Sequence, residues 1–111
     1  MHFIRLTVAA VLALASASPV LAQTSSGLEL ARENKCLACH QVDARRVGPP
    51  FTAVAQRFAG QAQAQGYLAN VIQNGGRGQW GAIPMPAQPQ VSPAHAAAIA
   101  NWILSLAQPE K

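Results

Sequence analysis

The chain has 111 residues, of which 50% are hydrophobic and 11% are charged. This balance is typical of one compact globular domain and excludes a disordered tail. The formal net charge is +4, and without Arg5 of the N-terminal segment seven basic residues against four acidic ones leave +3. A charge this small argues against nucleic acid as a partner.

Residues 1–22 have the pattern of a secretory signal peptide. Arg5 gives a basic start, residues 6–15 form an apolar run, and small residues precede a cleavage point after Ala22. The run is about half of the roughly 20 residues that a membrane-spanning helix needs, which argues against a retained anchor. We therefore expect export to the periplasm, no stable membrane insertion, and a mature domain at residues 23–111.

The first predicted helix starts at Ser25 or Ser26, since either serine can cap it, and runs to about Cys39. Its last turn carries the only two cysteines of the chain, Cys36 and Cys39, followed directly by His40. Residues at positions i, i+3 and i+4 lie on one face of a helix, so these three side chains should project to the same side.

This spacing is the attachment pattern for a c-type haem, in which each thiol adds to a vinyl group and the histidine binds the iron. A disulfide between the two cysteines would close a very small loop and add little stability, and a thioredoxin-type pair needs a βαβ pattern around it. A zinc site needs four ligands, and the mature chain offers only His95 as a further candidate. We therefore predict covalent haem, with a disulfide as the alternative.

The second axial ligand decides between electron transfer and small-molecule chemistry. Once Met1 leaves with the signal peptide, Met85 is the only thioether, and it lies between two prolines in a stretch that cannot be regular helix. His95 is the rival, but it sits just inside a helix that begins at Ser92, where an exposed histidine is expected. We therefore predict Met85 as the ligand opposite His40.

Three more helices are predicted along the chain. The second covers residues 51–60 and is ended by Gly60. The third begins in the ambiguous Ala/Gln-rich segment 61–66 and stops before Gly75. The fourth runs from Pro93 to about Ala107. Its apolar stripe consists of Ile99, Trp102, Ile103 and Leu106. With no strand pattern in the sequence, the fold class is all-α.

Four motifs, CLACH, VGPPF, WGAIPMP and the C-terminal VSPAHAAAIANWILSL, follow one another in the chain. In these motifs and their order, essentially the whole mature chain resembles a class I cytochrome c of the short bacterial soluble type. The resemblance implies about four helices wrapped around one covalently bound haem c with its iron. The N- and C-terminal helices would cross where the small residues Gly27 and Ala31 meet Trp102.

The resemblance also implies the residues that bind the cofactor, which are Cys36, Cys39, His40, Pro49, Trp80 and Met85. The two cysteines would form the thioethers, and His40 and Met85 would bind the metal. The carbonyl of Pro49 would accept a hydrogen bond from the His40 ring, and Trp80 would donate one to a haem propionate. The apolar residues expected to line the haem are Phe51, Val54, Phe58, Leu68 and Ile72.

The chain departs from the family pattern in two places. Relatives often carry an arginine for the propionates where Val71 falls, so this chain would use Arg57 or Arg77, unless both are surface residues. Around residues 85–92 the loop is one residue longer than in close relatives, so the side chain that contacts the methionine sulfur stays open between Gln88 and Gln90.

Six bonds to the iron leave no open position for a substrate, so an electron carrier is expected and not an enzyme. We expect a monomeric periplasmic carrier of single electrons between respiratory donors and a terminal reductase or oxidase. The alternative is a tightly bound haem subunit of a periplasmic dehydrogenase or oxidase complex, and a haem-free thiol-disulfide protein is a third interpretation. Arg45 and Arg46 follow the haem motif and predict a basic docking face for redox partners with an acidic surface.

Overall fold

The computed structural model describes residues 26–107, so the predicted signal peptide at 1–22 lies outside the described residues. The elements, in chain order, are α1 (Gly27–Glu33), a 3₁₀ turn (Cys36–Ala38), α2 (Phe51–Phe58), α3 (Ala64–Asn74) and α4 (Pro93–Ser105). Residues 26–107 contain four α-helices and no strand, and the all-α prediction is confirmed. No helix in this part of the chain is long and apolar enough to cross a membrane.

Helix α1 is shorter than predicted. The Ser26 hydroxyl accepts a hydrogen bond from the Glu29 amide (3.2 Å), so the predicted cap is present. The helix ends at Glu33, and its continuation to Cys39 is wrong. The Asn34 side chain caps the Leu30 carbonyl (2.8 Å), and Lys35 adopts the left-handed conformation with φ of 64°. A left-handed residue breaks the helical path, and the chain resumes as the separate 3₁₀ turn.

Helices α2 and α3 match the predicted segments except at their ends. Helix α2 stops at Phe58, two residues before Gly60, which itself has φ of +74°. The ambiguous segment 61–66 joins α3 from Ala64 onward. Helix α3 ends at Asn74 and is followed by Gly75, whose φ of +82° is accessible to glycine at little cost.

Helix α4 is the element on which the other three helices pack. The Ser92 hydroxyl caps it by accepting from the His95 amide (3.1 Å), and it ends at Ser105, before the predicted Ala107. Its residues Ile99 and Ile103 are buried in the centre of the core. The apolar face of α4 therefore packs against α1, α2 and α3.

The crossing of α1 and α4 depends on a very close approach. A Cβ atom on Gly27 would lie 2.0 Å from the Cβ of Trp102, which no side chain allows. Ala31, one turn further along α1, has no exposed surface. The Trp102 ring also meets Phe51 edge to face, with the ring centroids 5.3 Å apart. The predicted close approach of α1 and α4 is confirmed at Gly27 and Trp102.

Candidate cofactor site

A mostly apolar cavity of about 400 Å³ opens between the 3₁₀ turn, α2, α3 and the loop that precedes α4. Ile99 and Ile103 of α4 also line it, so the cavity is continuous with the core. The five apolar residues predicted to line a haem all lie on its wall, and they are Phe51, Val54, Phe58, Leu68 and Ile72. A cavity of this kind suits a flat apolar ligand with a polar edge.

Cys36, Cys39 and His40 share one wall of this cavity. The Cys36 carbonyl accepts from the amides of Cys39 (3.2 Å) and His40 (3.0 Å), which folds the motif into one tight turn. The three side chains therefore line the same space, as their spacing predicts, although through a 3₁₀ turn and not through the end of α1. No disulfide joins the two cysteines.

The His40 ring is held from two sides. Its Nδ1–H donates to the carbonyl oxygen of Pro49 over 2.9 Å, and its face stacks on Phe51 with ring centroids 4.9 Å apart. Gly48 leaves room for the ring, because a Cβ there would lie 2.5 Å from the His40 Cε1 atom. With Nδ1 engaged as a donor, Nε2 carries the free lone pair, which is the arrangement of a metal-binding histidine.

Met85 lies on the cavity wall in the loop between α3 and α4. Its backbone pairs with Gly76 through two hydrogen bonds, of 3.0 and 2.8 Å. Gly75 permits this pairing, since a Cβ at that position would meet the Met85 carbonyl oxygen at 2.8 Å. The two glycines that end α3 thus fix the backbone that presents the thioether.

His95, the alternative iron ligand, and the two candidate glutamines make no contact with the site predicted for them. His95 is exposed near the start of α4 and is absent from the cavity lining. The Gln88 amide donates to the Pro86 carbonyl (3.1 Å). The Gln90 amide donates to the Gln88 side chain (2.9 Å) and the Asn34 carbonyl (3.3 Å). Both side-chain amide groups therefore donate to oxygen atoms of nearby residues and not to the methionine sulfur.

Trp80 and two arginines mark the polar rim of the cavity. Trp80 is half-buried and lines the cavity together with Arg45 and Arg77. Arg57 stays outside the lining and stacks on the Trp80 ring, with its guanidinium carbon 4.6 Å from the ring centroid. Sequence reasoning left Arg57 and Arg77 as equal candidates and missed this stacking, because nothing in the sequence pairs residues so far apart.

A family model described as cytochrome c matches residues 25–107 of the chain. The chain belongs to the cytochrome c family. It is 45% identical over 92 residues to cytochrome c-552 of Nitrosomonas europaea, a match that covers 83% of this chain and 89% of that relative. It is 44% identical over 99 residues to cytochrome c-551 of Pseudomonas aeruginosa, covering 86% and 94% of the two chains.

Solved structures of cytochromes c agree with the fold. The crystal structure of wild-type cytochrome c552 from Nitrosomonas europaea superposes with a TM-score of 0.70 at 47% identity, and the match covers 71% of this chain and 98% of that one. The class 1 cytochrome MtoD from Sideroxydans lithotrophicus gives a TM-score of 0.62 at 31% identity, covering 72% and 91%. The predicted class I cytochrome c fold is confirmed.

As a cytochrome c, the protein carries one covalently bound haem c with its iron, and it is an electron carrier and not an enzyme. The residues of the cavity fit this group. Both thiols of the chain lie on one wall, the His40 ring is oriented by the Pro49 carbonyl, and apolar side chains fill the remaining surface. Such surroundings keep water from the iron and supply ligands of the kind that c-type haems use.

The alternatives weighed for the two cysteines receive no support from the local chemistry. Burial raises the pKa of the Cys36 thiol, whereas redox-active cysteines have a lowered thiol pKa. Within residues 26–107 no group of three or more His, Cys, Asp and Glu side chains could hold a metal ion on its own. A structural zinc site therefore lacks the required ligands in this part of the chain, and the burial of Cys36 does not favour a thiol-disulfide role.

Proposed function

We propose that this cytochrome c transfers single electrons in the periplasm as a freely diffusing monomer, with its haem iron bound by His40 and Met85. The haem supplies the change of one electron between the ferric and ferrous states. The chain supplies the two iron ligands, the two thioether attachments at Cys36 and Cys39, and the apolar surroundings.

The main support for this proposal is that both ligand segments are fixed by backbone contacts on one cavity. The His40 ring is bonded to Pro49 over 2.9 Å, and the Met85 backbone is paired with Gly76. Ligands fixed in this way need little rearrangement when the iron changes charge, which favours rapid electron transfer. Ligation by a thioether and a histidine would also give a higher reduction potential than ligation by two histidines.

The ligand assignment is tested by comparing Met85→Ala with His95→Ala. A bound methionine sulfur gives a weak charge-transfer band at the red edge of the oxidised spectrum. Met85→Ala should abolish this band and lower the reduction potential, because the soft ligand that favours ferrous iron is lost. His95→Ala is the matched control and should leave both unchanged. Loss of the band in His95→Ala, with retention in Met85→Ala, would refute the assignment.

Export and processing require a separate test. We propose that residues 1–22 are removed and that residues 23–111 form the mature domain. Mass spectrometry of the denatured protein from a periplasmic extract should give the mass of residues 23–111 plus one haem. A protein that remains in the membrane fraction with the mass of the full chain would contradict cleavage after Ala22.

The proposal of transient docking rests on the basic segment beside the cavity. Arg45 and Arg46 are exposed, and the neighbouring Val47 keeps 46% of its surface exposed while it lines the cavity mouth. Positive charge next to an apolar patch can steer an acidic redox partner toward the haem edge, at rates that fall as salt rises. A permanent subunit would use a larger and more apolar interface.

The test is the electron-transfer rate with a native partner, measured against ionic strength for the wild type and for Arg45→Glu/Arg46→Glu. The variant should react more slowly and lose most of the salt dependence. Arg32→Glu is a control, because Arg32 is exposed on α1 and lies outside the cavity lining. A wild-type rate that is insensitive to salt, or elution of the native protein only within a larger complex, would favour the tightly bound subunit.

A further inference from the structure

The loop that carries Trp80 has almost no backbone support. Gly76 and Met85 pair at its base, but among the described residues none from 77 to 84 makes a backbone–backbone hydrogen bond. Gly78 and Gly81 have φ of +80° and +111°, and no atom lies within 4 Å of where their Cβ atoms would be. A loop of this kind keeps one conformation only if side-chain contacts stabilise it.

Arg57 fastens this loop to α2. Its Nη1 donates to the Gln79 carbonyl, its Nη2 donates to the Gln79 side-chain oxygen (3.3 Å), and its guanidinium covers the Trp80 ring at 4.6 Å. At the other end, the Arg57 carbonyl accepts from the Gln61 side chain (3.2 Å) just beyond α2. The side-chain hydrogen bonds to residues 77–84 within the described chain both come from Arg57.

The geometry separates the tasks of Arg57 and Trp80. Trp80 lines the cavity and Arg57 does not, so Arg57 acts on the indole ring and on the adjacent peptide. We propose that Arg57 is a positioning residue that holds the Trp80 indole at the cavity rim, where its N–H is available to a haem carboxylate. This inference rests on the function proposed above, because it uses the expected contact of Trp80 with a propionate.

Arginine suits this position better than lysine. Only a planar guanidinium with several fixed donors can stack on an indole and bond to two oxygens of one neighbour at once. Arg77 also lies on the loop and lines the cavity, but it makes none of the described hydrogen bonds to residues 77–84. The two arginines left equivalent by the sequence therefore differ in role.

The proposal is tested by hydrogen exchange of the two indole N–H groups in the ferrous holoprotein, followed by nuclear magnetic resonance. Loss of the stacking and of two hydrogen bonds in Arg57→Gln should make the Trp80 indole N–H exchange about tenfold faster. Arg57→Lys keeps the charge without the planar fork and should give an intermediate rate. The Trp102 indole, packed against Phe51, should exchange at its wild-type rate in both variants, which separates local opening from global unfolding.

Two further variants make the result specific. Arg32→Gln removes the same charge from α1 and should leave both exchange rates unchanged. Unaltered exchange of Trp80 in Arg57→Gln, or faster exchange in Arg77→Gln in its place, would overturn the proposal. The reduction potential of Trp80→Phe tests the underlying function separately. A wild-type reduction potential in Trp80→Phe would refute the proposed contact of Trp80 with a propionate. The exchange data would still show whether Arg57 holds the indole ring.

Discussion

Substitution of Gly27 by alanine should destabilise the protein, although alanine normally stabilises a helix. The added Cβ would lie 2.0 Å from the Trp102 Cβ and 2.3 Å from its Cγ. These atoms are close to the backbone of α4, so the contact cannot be relieved by a rotation of the Trp102 ring, and the two helices must move apart. Overpacking of this kind costs about 1–3 kcal/mol, against a gain of about 0.5–1 kcal/mol from replacing glycine in a helix. The expected net loss is therefore up to about 2.5 kcal/mol.

Guanidinium unfolding of the oxidised holoprotein, followed by far-ultraviolet circular dichroism, measures this loss. Gly27→Ala should lower the midpoint without changing the slope, since the substitution changes stability and not the surface exposed on unfolding. Gly66→Ala is the matched control, because Gly66 lies inside α3 and nothing is within 4 Å of its Cβ position. That variant should gain about 0.5–1 kcal/mol. If Gly27→Ala is as stable as Gly66→Ala, the close helix crossing does not exist in solution.

The haem motif and the residues around it give three further predictions. Lys35→Gly should raise the free energy of unfolding by about 0.5–1 kcal/mol, because the left-handed φ of 64° strains a lysine and not a glycine. A lower midpoint in thermal or guanidinium unfolding would contradict this. Gly48→Ala should displace the His40 ring, as its Cβ would lie 2.5 Å from Cε1. A ring moved off its carbonyl partner donates less to the iron, so potentiometry should give a raised potential, and an unchanged one would argue against this packing. Cys36→Ser and Cys39→Ser should each impair haem attachment, measured as the haem mass that survives denaturation, whereas full retention in both would refute thioether formation.

Much of the fold could be predicted because local signals and tertiary packing agree. Ser26 and Ser92 cap helices as their side-chain chemistry requires, and Gly75 ends α3 where glycine is needed for a positive φ. The gathering of the motif cysteines with Met85 around one cavity was also predictable, because the sequence contains so few residues of these types. In these cases the chemistry of a single side chain, as a helix cap, a positive-φ residue or a cofactor ligand, was enough to predict its place.

The errors arise where a residue adopts a conformation against its own preference. Lys35 gives no signal for a left-handed turn, so the sequence favoured one helix through the motif where the structure has two separate elements. The neighbouring Asn34 was the available sign, since asparagine side chains commonly close a helix by bonding to the backbone. The contact of Arg57 with Trp80 could not be predicted, because it depends on how a loop folds back over α2.

The central position of α4 also has a consequence for the order in which the fold forms. Helices α1, α2 and α3 all pack on α4, yet α4 is the last of these elements to be synthesised. A nascent chain that ends before Pro93 lacks Ile99 and Ile103 and therefore has no common core on which its three helices could dock. Folding must wait for the C-terminal part of the chain. Until α4 is complete, Cys36 also lacks the core against which it packs in the folded protein.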